Sequence, residues 1–125
     1  AMMLIKCPER FEVIVTNNLF GDIITDIGAQ LQGGMGMAVS GNINPDGVSL
    51  FEPVHGSAPD LEKNQANPIA AILTVEMMLD HLGFKDAAKN IGDAVLAFLA
   101  QGSMPLELGG DLGTKEVGDG VAALI

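Results

Sequence analysis

The sequence predicts an α/β chain, and three observations predict it. Strand-like and helix-like stretches follow one another, glycine or proline marks most of the boundaries between them, and the apolar content is almost wholly aliphatic. Of 125 residues 48% are hydrophobic, yet there are five Phe and no Trp or Tyr, so Ile, Leu, Val, Ala and seven Met must fill the interior. Such side chains suit helices laid on a sheet. The length allows one packed core that buries roughly two-thirds of the unfolded surface.

Taken in order, residues 1 to 7 read as the end of a helix stopped by Pro8, and Phe11 to Thr16 (FEVIVT) is β-branched and apolar enough for a buried strand. Asn17 or Asn18 then caps a helix. Its apolar positions Phe20, Ile23, Ile24, Ile27 and Leu31 recur at helical spacing until Gly33-Gly34 ends it. Between Met35 and Glu52, two short apolar segments flank Asn44-Pro45-Asp46-Gly47, which predicts a hairpin. Residues 53 to 68, PVHGSAPDLEKNQANP, form a long polar loop of the kind that is usually functional or disordered. Asn67-Pro68 opens a helix running to about Leu82, apolar nearly all round and therefore central, with Gly83 as its stop. Phe84, Ala88, Ile91, Val95 and Phe98 mark an amphipathic helix closed by Gly102, and a last helix runs from Thr114, its expected cap, toward Ile125. There are no repeats or low-complexity tracts.

Six basic residues against sixteen acidic ones give a net charge of -10, which repels phosphate backbones and anionic headgroups; neither nucleic acid nor membrane is an expected partner. The lone Cys7 has no partner for an internal disulfide. No apolar run approaches the roughly 20 residues of a membrane span, and no signal-like segment opens the chain, so the expected setting is a reduced cytoplasm. Ala1 is followed at once by Met2-Met3-Leu4-Ile5, as though an element had been joined midway, and the chain is expected to be part of a longer polypeptide.

Two stretches carry chemistry. In NNLFGDIITDIG, Asp22 and Asp26 stand four apart on the helix side away from its apolar stripe. On one face they repel by a few tenths of a kcal/mol, about what a solvated surface absorbs unaided. From spacing alone they read first as an ordinary exposed face and only second as part of a cation site, since two carboxylates supply part of a metal's shell. Mg²⁺, which takes one or two carboxylates and fills its shell with water and substrate oxygens, is the ion such a pair would suit. In the loop, His55 reads on composition alone either as a satisfied surface residue or as a ligand contact. Gly33-Gly34-Met35-Gly36 is no dinucleotide fingerprint. A GxGxxG from Gly34 would need glycine where Val39 stands, and the run follows a helix.

The stretch NLFGDIITDIGAQLQGGMGM, followed in order and at the right separation by FEPVHGSAPD and ANP, resembles the β-decarboxylating dehydrogenases. These are the isopropylmalate, isocitrate, homoisocitrate and tartrate/malate enzymes, and the wording lies nearest the isopropylmalate members. The resemblance implies the C-terminal part of their two-lobed fold, with helices packed on a partial sheet. Residues 1 to 32 would come from the substrate and dimer lobe and residues 33 to 125 from the cofactor lobe. It implies NAD-dependent oxidative decarboxylation of a 2-hydroxy dicarboxylate, most simply 3-isopropylmalate in leucine biosynthesis, by a homodimer.

Carried over by position, the resemblance makes Asp22 and Asp26 carboxylates of a Mg²⁺ or Mn²⁺ site, with Asp22 also catalytic. The third metal carboxylate, the substrate-clamping arginines and the tyrosine and lysine proton-transfer pair would lie upstream, so the isolated chain is expected to be inactive. His55, Gly56, Ser57, Ala58 and Pro59 would wrap the adenosine of NAD, Asp60 would accept from its ribose hydroxyls, and Asn67 would contact adenine. A carboxylate at Asp60 pairs with a 2′-hydroxyl and repels a 2′-phosphate, which favours NAD over NADP. Two departures stand out. DLEKNQAN is one residue shorter than the usual loop and lacks its glycine, and Glu107 in LELGG replaces an aspartate on the adenine side, where surface capping is an equally good role.

Overall fold

Helix α3 (Ile69–His81) lies between a β-hairpin and helix α4 (Lys85–Ala100), and this sandwiched position explains a helix that is apolar on most sides. The computed structural model describes all 125 residues. The hairpin pairs β1 (Val39–Asn42) with β2 (Leu50–Pro53) in antiparallel register, Val39 opposite Pro53 and Asn42 opposite Leu50. Its predicted turn is present: Asn44 Oδ1 accepts from the amide of Asp46 at 3.0 Å, the local bond that suits asparagine to turns. Helix α5 (Thr114–Ala122) packs on the far side of α4. The buried core is Ile69 of α3, Ala94, Val95 and Phe98 of α4, and Val117 and Val121 of α5, with Met37 and Leu112 packed against it.

The N-terminal third comprises α1 (Met2–Lys6) and α2 (Asn18–Leu31). Of the two candidate caps it is Asn17 that caps α2, Oδ1 accepting from the amide of Phe20 at 3.1 Å. Both α2 and α3 end in the double hydrogen-bond pattern that glycine permits: Gly33 at φ 118° and Gly83 at φ 89° follow the last helical turn. The next amides, Gly34 and Phe84, reach back to Ala29 and Leu79.

Three expectations are corrected. Phe11–Thr16 is no strand: it forms no ladder, and Val13 and Val15 are 83% and 93% exposed. β-branched residues favour extended backbone, but a strand needs a neighbour to pair with, and none lies beside this segment. The stripe on α2 is not core either. Phe20 and Ile23 are more than half exposed, and Ala29 is the only buried residue of the helix. Nor does Thr114 cap α5; it is the first helical residue, and its hydroxyl donates to the carbonyl of Ala66 at 2.6 Å. No helix is long and apolar enough to cross a membrane.

Candidate active site

Two cavities are lined by neighbouring stretches of the backbone that joins α2 to the hairpin and the hairpin to the long loop. The first, of about 710 Å³, has Asp22, Thr25 and Asp26 of α2 on one wall and Ser40, Glu52 and Val54 of the hairpin on the other. The side of α2 opposite its apolar stripe therefore faces inward, and both aspartates look into one space. Asn18 Nδ2 donates to Asp22 Oδ2 at 3.2 Å, which orients that carboxylate and leaves Oδ1 without a protein partner. Asp26 makes no protein hydrogen bond or ion pair in this arrangement. Two hard oxygen donors on one wall, each with uncommitted lone pairs, fit a small divalent cation that draws its remaining ligands from water or a substrate. The chain groups no three acidic, histidine or cysteine side chains into a closed metal cage.

The second cavity, of about 640 Å³, is lined by Gly36 and His55, which are next in sequence to Met37 and Val54 of the first. Its volume lies in the range of small-molecule sites. Of the sequence candidates, His55, Gly56, Ser57, Ala58 and Asn67 line it, whereas Pro59 and Asp60 do not. Asp60 is exposed and stands in sequence between the lining residues Ala58 and Leu61. His55 Nδ1 is 3.0 Å from the carbonyl oxygen of Gly56; since a carbonyl only accepts, Nδ1 is the donor of this bond, and Nε2 makes no hydrogen bond within the chain. Ala58 has φ 43°, a left-handed conformation that costs a residue with a Cβ about 1 kcal/mol and is typical of functional loops.

Asn67 does not offer its side chain to this cavity. Oδ1 accepts from the amide of Ile69 at 3.1 Å, and Nδ2 donates to Glu107 Oε2 at 3.0 Å. Asn67 thus stands one position before the expected cap, since Pro68 holds the N-cap position of α3 and Ile69 is its first residue. The residue is 7% exposed, so little of it is open to a ligand. Glu107 is the residue that sequence reasoning undervalued. Its Oε1 accepts from the amide of Gly36 at 3.0 Å, and with Oε2 on Asn67 it ties three distant segments around one cavity wall. A Cβ on Gly36 would meet the Glu107 carboxylate and come within 2.9 Å of the Asn67 Cβ, so glycine is required there for space.

Asn64 is the other residue missed. The shortened loop lacks a glycine, and Asn64 takes the left-handed conformation instead, at φ 65°. Its side chain caps α5 from outside the helix: Oδ1 accepts from the amide of Lys115 at 2.8 Å and Nδ2 donates to Glu116 Oε2 at 2.9 Å. That hydrogen bond is the main cause holding the Glu116 carboxyl below its ordinary value of 4.5. The only signal in the sequence was an asparagine, the non-glycine residue that best tolerates this conformation, in a loop where the resemblance implied a glycine.

The arrangement as a whole, an acidic cavity and a loop-lined one whose walls are neighbours in sequence, is accompanied by likeness to known proteins. The isocitrate/isopropylmalate dehydrogenase family matches residues 1–121. The chain belongs to this family. Within the family it is 59% identical over 97 residues to the 3-isopropylmalate dehydrogenase of Thermobifida fusca, covering 75% of this chain and 27% of that one. It is 58% identical over 103 residues to the isocitrate/homoisocitrate dehydrogenase of Thermus thermophilus, covering 82% and 30%. The crystal structure of isocitrate dehydrogenase from Methylococcus capsulatus superposes with a TM-score of 0.91 at 42% identity, over 98% of this chain and 37% of that one. The chain thus spans about a third or less of the curated relatives it matches, and its fold is the corresponding α/β part of the family architecture.

Proposed function

We propose that this chain supplies the metal-side and cofactor-side walls of an NAD-dependent β-decarboxylating dehydrogenase acting on a 2-hydroxy dicarboxylate. The first candidate is 3-isopropylmalate, which would place the enzyme in leucine biosynthesis. The observation that carries this reading is that the walls of the two cavities are built from residues adjacent in sequence at Gly36–Met37 and Val54–His55. One chain so presents both an acidic wall suited to a metal and a loop-lined wall suited to the adenosine end of the cofactor. On this reading residues 1–32 belong to the substrate lobe and residues 33–125 to the cofactor lobe.

Asp22 and Asp26 would hold Mg²⁺ or Mn²⁺, with Asn18 fixing the Asp22 carboxylate in place. When bound, the metal supplies Lewis acidity toward the hydroxyl and carboxylate oxygens of the substrate, and NAD supplies the hydride acceptor. The chain's own residues orient and select. His55 through Ala58 wrap the adenosine portion, Pro59 turns the loop to the rim, and Asp60 accepts there from the ribose hydroxyls. The backbone at Asn67 lies against the adenine. The carboxylates Asp60 and Glu62 repel a 2′-phosphate, and no lysine or arginine stands on the cavity wall to receive one.

Neither cavity wall presents a lysine or arginine that could clamp a dicarboxylate, so the chain alone binds NAD and metal without turnover. Titrating the chain with NAD and with Mn²⁺ by calorimetry tests this reading. Binding that weakens in Asp60→Ala for NAD and in Asp22→Ala for Mn²⁺ is the expected result; absence of NAD binding by the unaltered chain would overturn it. A homoisocitrate or isocitrate substrate is the second reading, favoured by the near-equal identity to the Thermus thermophilus enzyme, with a tartrate/malate activity further off. We assign the enzyme to the cytoplasm and to a homodimer, the latter from the apolar face of α2 that the chain leaves open.

A further inference from the structure

The loop that lines the second cavity has no regular structure of its own, and its shape must be held from elsewhere. Its near arm is continuous with β2 and its far arm ends in α3, but the middle is secured at one place only, the N-terminus of α5. There the Asn64 carbonyl accepts from the amide of Thr114 at 3.1 Å, its side chain engages Lys115 and Glu116, and the Thr114 hydroxyl holds the carbonyl of Ala66 at 2.6 Å. Gly113 closes the joint: a Cβ there would collide with Asn64 Nδ2 and lie 2.6 Å from the Asn64 carbonyl oxygen, so only glycine leaves room for the Asn64 side chain and backbone together. The next three residues, Gln65, Ala66 and Asn67, are cavity wall.

We infer that Asn64 is a positioning residue for cofactor binding: it touches no ligand, but by docking the loop on α5 it sets the wall that NAD meets. This rests on the reading of the second cavity as an NAD site. The side chain does two jobs that a single substitution separates. Its acceptor oxygen serves a helix amide, which aspartate would also serve, and its amide donates to the Glu116 carboxylate, which aspartate would instead repel.

The test titrates NAD by calorimetry into the full chain and into three variants that all tolerate φ 65° at this position: Asn64→Gly, Asn64→Asp, and Asn64→Asp with Glu116→Gln. Thermal midpoints are measured alongside. In the double variant the glutamine amide donates to the aspartate, so the hydrogen bond returns with its direction reversed. We expect NAD binding about tenfold weaker in each single variant and restored to within about twofold in the double one. Should Asn64→Gly fail to fold, the aspartate pair still decides the matter. Lower thermal midpoints with unchanged NAD affinity would make Asn64 a purely structural cap and overturn the inference. So would a double variant that binds no better than Asn64→Asp. If the unaltered chain binds no NAD, the cavity reading fails and takes this inference with it.

Discussion

Glu107 and Asn67, forty residues apart in sequence, share a hydrogen bond of 3.0 Å at the wall of the second cavity, and the same carboxylate receives the Gly36 amide. Both of its partners are donors, so only an acceptor pair fits between them. Glu107→Ala is expected to lower stability by about 1 kcal/mol, toward the low end for hydrogen bonds to a charged group because the residue is exposed. Glu107→Gln should cost nearly as much, since its amide nitrogen would face another donor and Asn67 is held from turning over by its bond to the Ile69 amide. Thermal melts of the two variants check this; a glutamine variant as stable as the unaltered chain would refute it.

Asp22→Asn is expected to move stability in opposite directions with and without metal. Without a divalent ion, removing one of two like charges a helical turn apart stabilises α2 by a few tenths of a kcal/mol, about the size of a single such repulsion. With Mn²⁺ in excess, the unaltered chain should gain a rise in melting temperature that the variant lacks. Equal metal-induced shifts in both proteins would contradict a cation at Asp22.

Two glutamates should answer acid in opposite ways. The Glu76 carboxyl is raised above its ordinary 4.5, first by burial and then by Asp80 and Asp93, so its charged form burdens the fold. That burden is present above the raised folded value and lifts as pH falls toward 4.5. Glu76→Gln should therefore stabilise at neutral pH by about 0.3 kcal/mol and lose the advantage in acid. Glu116 is lowered, chiefly by Asn64, so it contributes stability that is present above 4.5 and lost as pH falls through its lowered folded value. Glu116→Gln should remove that loss. Melting temperatures of both variants across pH 3 to 7 check the signs against the ordinary carboxylate range of about 4.

The outward face of α2, with Phe20 and Ile23 at 57% and 51% exposure, predicts self-association. Light scattering should report a species larger than one chain, and a charge introduced by Phe20→Glu should reduce it. A clean monomer at high concentration for the unaltered chain would contradict this.

The residue pattern by itself determined the main helices, the ends of α2 and α3 and the hairpin, because these depend on neighbours in sequence. Asn17 caps α2 through an amide three residues on, Gly33 and Gly83 stop helices by their own backbone freedom, and Asn44 folds its turn locally. The two motifs also carried the family and the cavity residues His55 to Ala58, since ligand loops are written contiguously. Tertiary structure alone decided the rest. Phe11–Thr16 has strand-forming side chains but no neighbour to pair with, and the apolar stripe of α2 has nothing laid over it, so propensity and periodicity there describe what a residue could bury rather than what it does. Glu107 and Asn64 act on partners forty to seventy-one residues away, and no local rule encodes a hydrogen bond closed by the path of the chain between.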